Sequence, residues 1–247
     1  MPYYKDDQTL RGTALAPAAP LNAHPDGPLQ TAAVNLYDRL GGLMDAAAAK
    51  LQLPTAVMVA SWLVESSGAA FAANQAIIRF EVHLFHRNWG QSNPDVFDAH
   101  FQFGGHNGIP GKPWQNHRFR ASIAEPFRPF HGDQGREYTV LGFARDLGAT
   151  PALLSISIGG PQILVSNYHR LGYDAPKDMY DAFQIDERFH VLGFMDFCGA
   201  SLLDKLRSQD WVGFAAGYNG EANADAYGQK LHDTYDEIDP VFPQATV

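Results

Sequence analysis

At 247 residues, with 45% hydrophobic and 12% aromatic side chains, the chain has apolar material for one large core or two small ones, which excludes disorder over most of its length. The balance of 18 Lys+Arg against 27 Asp+Glu gives a net charge of −9 without any basic cluster, which argues against a nucleic-acid surface. Cys198 is the only cysteine, so no intrachain disulfide forms, and within the apolar run HVLGFMDFCGASLL it reads as a small buried hydrophobe.

Residues 1–28 are rich in Ala and Pro, with Pro17, Pro20, Pro25 and Pro28 interrupting any helix, and read as an extended leader or linker. The start MPYYKDDQTL lacks a basic stretch followed by an apolar one and does not read as a secretory signal; no run is long enough to span a membrane. The expectation is a single domain over residues 29–247, made in the cytoplasm. Val34, Leu36, Leu40, Leu43, Met44 and Ala47 recur at helical spacing and predict an amphipathic helix over residues 30–51.

Residues 53–68, LPTAVMVASWLVESSG, form the chain's centre of interest. Pro54 and Thr55 are start signals and Gly68 a stop, so the stretch predicts a short helix, apolar on most sides, that ends at Glu65. A carboxyl at the end of such a rod, apolar behind and facing a cleft in front, is desolvated; this disfavours its charged form and suits it to act as a general acid. The plainer alternative is a helix-terminal Glu that reaches into solvent.

In IIRFEVHLF, Ile78, Phe80, Val82 and Leu84 alternate with Arg79, Glu81 and His83, which predicts a short strand turning helical by His86, with the three polar side chains on one face. The alternative is a surface strand whose salt bridge contributes little. Residues 88–135 are polar, aromatic and turn-rich, and read as a loop region belonging to a binding site or lid. There Trp114, His117 and Phe119 serve either to stack on a sugar face or to pin the segment down. Helical periodicity resumes over residues 137–147, a further short helix is expected over 151–157, and residues 179–235 read as helical apart from one turn. Between them, SIGGPQILVSNYHRLGY offers glycines for close backbone approach and the uncharged hydrogen-bonding groups of Gln162 and Asn167.

The histidines invite a metal reading, and His83 and His86 would face one ion from a helix. No third ligand is fixed by the sequence, however, and the spacing matches no zinc motif, so no metal and no cofactor is expected. A G-x-S-x-G elbow and a phosphate-binding loop are likewise absent from the sequence.

ESSG, RFEVHLF, SIGGPQILVSNYHRLGY and DWVGFAAGYNGEANADAYGQKL, in this order, together resemble the N-acetylmuramidase domain of phage endolysins, which is distantly similar to goose-type lysozymes and soluble lytic transglycosylases. The resemblance covers residues 30–238. It implies a mainly α (α+β) lysozyme-like fold with a small β-sheet lining the substrate cleft. It also implies a peptidoglycan hydrolase that cleaves the β-1,4 bond between N-acetylmuramic acid and N-acetylglucosamine by general acid catalysis. By motif, Glu65 falls on the catalytic acid and Glu81 on a second acidic position, while Gln162, Tyr218 and Asn219, with His83 and Ser157, fall to substrate binding. The implied partner is the peptidoglycan glycan strand, reached by phage-type release or by injection, with an immunity protein in the latter case; neither nucleic acid nor membrane insertion is implied. The chain departs from the family pattern in its ESSG, in Gly160-Pro161 where a bulky residue usually stands, and in Glu221-Ala222 where Pro-Gly usually follows YNG. Two rivals remain at this point: a lytic transglycosylase forming anhydromuramic ends, and a non-catalytic glycan-binding module on a lysozyme scaffold.

Overall fold

The computed structural model describes residues 3–21, 24–66 and 68–242; Ser67 of the ESSG motif lies outside them. In chain order it comprises α1 (Gln8–Gly12), α2 (Gly27–Leu51), α3 (Thr55–Ser66), β1 (Phe71–Ala72), β2 (Gln75–Ala76), β3 (Ile78–Phe80), α4 (Val82–Asn88) and α5 (Pro94–His100). There follow β4 (Phe101–Gln102), β5 (Arg118–Phe119), β6 (Arg128–Pro129), α6 (Gln134–Leu147), α7 (Ala149–Leu153), β7 (Ile156–Ile158), β8 (Ile163–Leu164), α8 (Pro176–Ile185), α9 (Arg188–Arg207), α10 (Trp211–Asn219) and α11 (Ala224–Ile238). The fold is thus mainly helical with small antiparallel sheets. The chain divides into two compact units, one from the residues up to Ala70 together with those from Asp186 onward, the other Phe71–Ile185.

The first unit is all helix. Pro28 opens α2 where its missing N–H is not needed, and the stripe Ala33, Leu36, Leu40, Leu43, Ala47 and Leu51 is buried, as a 3.6-residue period requires. Helix α3 is apolar all round: Ala56 to Ala60 and Trp62 to Val64 are buried without interruption, so it is internal. Helix α11 packs across α3 and α10 through Ala224, Gly228, Leu231, Thr234 and Ile238. Gly228 permits the approach, since a Cβ there would stand 2.8 Å from the Val212 Cα and 2.9 Å from its nitrogen.

The leader expected to be extended instead carries a 3-10 turn, Tyr4–Asp6, and helix α1, docked on this unit. Asp7 caps α1 by accepting from the backbone N–H groups of Thr9 and Leu10, and Leu10 is only 2% exposed. The Asp196 carboxylate accepts from the Tyr4 N–H at 2.7 Å and the Lys5 N–H at 3.1 Å, which anchors the turn. Cys198 is buried as expected.

The second unit is built around the antiparallel sheet β3-β7-β8, with Ile78 opposite Ile158, Arg79 opposite Ser157 and Phe80 opposite Ile156. On the open edge of β3, the first turn of α6 supplies side-chain partners. Gln134 bonds both the N–H and the carbonyl of Ile78, and the buried Glu137 carboxylate accepts from the Phe80 N–H at 2.8 Å. Phe80, Phe85, Phe97 and Phe101 make the aromatic core beneath.

Three local expectations change here. The strand ends at Phe80 and helix α4 begins at Val82, so Glu81 sits at the junction. The helix expected over 151–157 stops at Leu153, and Ser157 lies on β7, where Ile156, Ile158 and Ile163 favour the sheet. The turn-rich stretch of residues 88–135 contains α5 and the small sheet β4-β5-β6.

Candidate active site

Glu65 ends the buried rod α3 and is partly buried at its tip. The Tyr227 hydroxyl donates to its Oε1, the Asn219 side chain hydrogen-bonds it, and the Lys230 ammonium lies close, itself donating to the Val64 carbonyl at 3.3 Å. Burial raises the Glu65 carboxyl from 4.5 to about 6, and this outweighs the opposing pull of Tyr227, Asn219 and Lys230. The Tyr227 phenol is itself pushed up by burial and by the neighbouring carboxylate, so it stays protonated and donates. Local structure explains the meeting. Asn219 is the last residue of α10, which Gly220 terminates at φ 88°, and Tyr227 lies in the first turns of α11 beside the close-packed Gly228.

Glu81, carried by the second unit, has different company. Arg79 Nε donates to its Oε1 at 2.8 Å, while Oε2 faces His83 Nδ1 at 3.5 Å and His117 Nδ1 at 3.8 Å. The shared face of Arg79, Glu81 and His83 therefore survives the shortening of the strand. His83 Nδ1 lies 3.3 Å from His117 Nε2, and His117 Nδ1 lies 2.8 Å from His131 Nε2, whose other nitrogen meets Glu137 Oε1 at 2.7 Å. Burial pushes His83 down, and His117 down to about 3, so both rings are neutral at neutral pH.

The sequence model of the N-acetylmuramidase family matches residues 54–239, a stretch that holds every side chain just described. The chain belongs to the N-acetylmuramidase family. Among solved structures it is similar to the endolysin of the Burkholderia phage AP3, with 26% identity, a TM-score of 0.60, and coverage of 80% of this chain and 70% of that one. No curated protein matches the chain. Family membership makes it a peptidoglycan-cleaving enzyme with the glycan wall as substrate.

Within this muramidase the remaining sequence-predicted residues fall into two groups. Asn219 joins Glu65 directly, whereas Tyr218 packs on Phe194, Phe197 and Phe214. Ser157 and Gln162 find each other: the Ser157 hydroxyl donates to Gln162 Oε1 at 2.9 Å and Gln162 Nε2 donates to the Gly159 carbonyl at 2.8 Å, a staple across the β7-β8 turn, where Gln162 itself adopts φ 46°. Of the three candidate sugar stackers, His117 is buried and Phe119 packs on Phe101 and Phe143, leaving Trp114 the exposed one at 49%. Sequence reasoning missed Tyr227, Lys230, His131 and Glu137. Tyr227 had a signal, since it stands three residues after Ala224 and four before Leu231 on the buried stripe of α11.

Proposed function

We propose that this enzyme hydrolyses the β-1,4 bond between N-acetylmuramic acid and N-acetylglucosamine, with Glu65 as the general acid. The observation that carries the reading is the raised Glu65 carboxyl at the end of an apolar helix, already held by a phenol, an amide and an ammonium. The protonated Glu65 donates to the glycosidic oxygen, the C–O electron pair leaves with that oxygen, and positive charge develops at the anomeric carbon of the muramic acid. Water adds there and leaves a reducing end. Once the proton has gone, Tyr227, Asn219 and Lys230 stabilise the Glu65 carboxylate, so they act where charge appears during the reaction.

Glu81 is the second carboxylate of the proposal. It either takes the proton of the attacking water or stabilises the cationic sugar. A carboxyl separation of roughly 6.5 to 9.5 Å goes with a water and inversion, and one of about 5 to 5.5 Å with a covalent intermediate. Asn219 orients the N-acetyl group beside the acid. Gln162 and Ser157 contribute by fixing the hairpin turn, and Tyr218 and His83 complete the set of glycan contacts.

A second reading, the lytic transglycosylase, is favoured by one observation: Arg79 occupies one oxygen of Glu81, and two imidazoles face the other. A transglycosylase needs only Glu65, because the muramic acid's own hydroxyl replaces water. Turbidity clearing of purified peptidoglycan tests the acid. Glu65→Gln lowers the rate by about 100-fold or more while the fold is kept; near-normal clearing by that variant removes Glu65 from the reaction. Glu81→Gln separates the two readings. It slows a hydrolase that uses a second carboxylate and leaves a one-acid transglycosylase close to wild type.

A further inference from the structure

We infer that Glu81, His83 and His117 form a Zn2+ site. The third ligand missing from the sequence comes from far along the chain: Glu81 stands at the start of α4, His83 is in its first turn, and His117 arrives from just before β5. His83 Nδ1 lies 3.3 Å from His117 Nε2 and 3.5 Å from Glu81 Oε2, and one ligand atom from each of the three residues lies within 4.8 Å of the other two. Zinc bonds of about 2.0 to 2.2 Å in a tetrahedron set neighbouring ligand atoms roughly 3.3 to 3.6 Å apart, so the cluster needs little adjustment.

Two further observations point to a cation. Glu81 Oε2 is buried and has no hydrogen-bond partner among the described residues, which leaves a carboxylate oxygen with a lone pair aimed at the imidazoles. The second is the side-chain support behind His117. Glu137 uses Oε2 to accept from the Phe80 N–H and Oε1 to accept from His131 Nδ1. His131 Nε2 in turn meets His117 Nδ1 at 2.8 Å. His117 Nε2, 3.3 Å from His83 Nδ1, donates to the Pro113 carbonyl at 2.9 Å, a hydrogen bond that an ion bound at Nε2 replaces. The relay from His117 through His131 to Glu137 is the outer-shell support by which a ligand histidine is oriented.

Two imidazoles and one carboxylate with an open fourth position suit Zn2+ far better than Mg2+ or Ca2+, which prefer all-oxygen shells. Arg79 on Glu81 Oε1 opposes the ion electrostatically but leaves Oε2 available. Bound zinc ties the segment carrying His117 to the β3-α4 junction. An ion on Oε2, with Arg79 on Oε1, takes both Glu81 oxygens, so in the zinc-bound protein Glu81 serves the ion rather than the attacking water, and the test reads binding alone.

The experiment is calorimetric titration of tag-free full-length protein with ZnCl2, accompanied by thermal melting. One Zn2+ per chain is expected, unaffected by millimolar Mg2+, with a rise in melting temperature. His83→Ala, at a half-buried position, and Glu81→Gln each weaken binding by about tenfold or more and remove the thermal shift. His106→Ala, which removes a histidine paired with Asp98 elsewhere in the same unit, leaves binding unchanged. Saturable binding at one equivalent that is undiminished in both His83→Ala and Glu81→Gln overturns the assignment. So does no binding at all, the result expected if His117 Nε2 keeps its hydrogen bond to the Pro113 carbonyl.

Discussion

Replacing Glu65 by Gln preserves the shape of the side chain and removes its titration, so it isolates the effect of burial at the end of α3. The folded protein raises this carboxyl from 4.5 to about 6. At about 1.4 kcal/mol per pH unit, the difference amounts to about 2 kcal/mol. Because the folded-state value lies above the unfolded one, the folded chain holds the proton more tightly. The stabilisation is complete below pH 4.5 and is lost as pH rises through about 6. Urea unfolding of both proteins at about pH 4 and about pH 8, followed by tryptophan fluorescence, reads the effect, with Trp62 and Trp211 in the same unit as Glu65. The difference in unfolding free energy between variant and wild type is expected to move by about 2 kcal/mol in favour of Glu65→Gln from the lower to the higher pH. A difference that does not change with pH means that Glu65 is solvated in both forms, and the general-acid argument fails with it.

Two other outcomes follow from the same geometry. Tyr227→Phe removes a hydrogen bond that favours the Glu65 carboxylate, so the alkaline limb of the pH-rate profile, set by deprotonation of Glu65 near 6, shifts upward; a downward shift or none contradicts the role given to the phenol. Leu10→Ala empties a buried position under the docked N-terminal turn and is expected to destabilise the protein by about 2 to 5 kcal/mol in chemical denaturation, whereas an extended, solvated leader would lose almost nothing.

The features legible in the sequence are those coded within a few residues. An apolar run that stops at a carboxylate announces a buried helix with a desolvated carboxyl near its tip, and α3 with Glu65 is that arrangement. Arg79, Glu81 and His83 are two residues apart, so their meeting needed only local geometry. The end of β3 was harder to read, because Val82 and Leu84 continue a two-residue alternation while Val82 and Phe85 also fit the face of a helix. In the leader the prolines concealed a shorter signal, Asp7 placed to cap a turn that buries Leu10. The relay from His117 through His131 to Glu137 and Phe80 had no local trace at all. Its members come from loops, a helix and a strand whose proximity exists only after the second unit has folded. Tyr227 lies between these cases, on a readable stripe but with a partner, Glu65, that only the packing of α11 across α3 supplies.

The most direct test of the account is mass spectrometry of the soluble fragments released from purified peptidoglycan by the wild-type enzyme, with Glu65→Gln as control. Fragments ending in reducing N-acetylmuramic acid, absent from the variant's digest, are the predicted result. Anhydromuramic ends, or the same reducing ends released by Glu65→Gln, would contradict it.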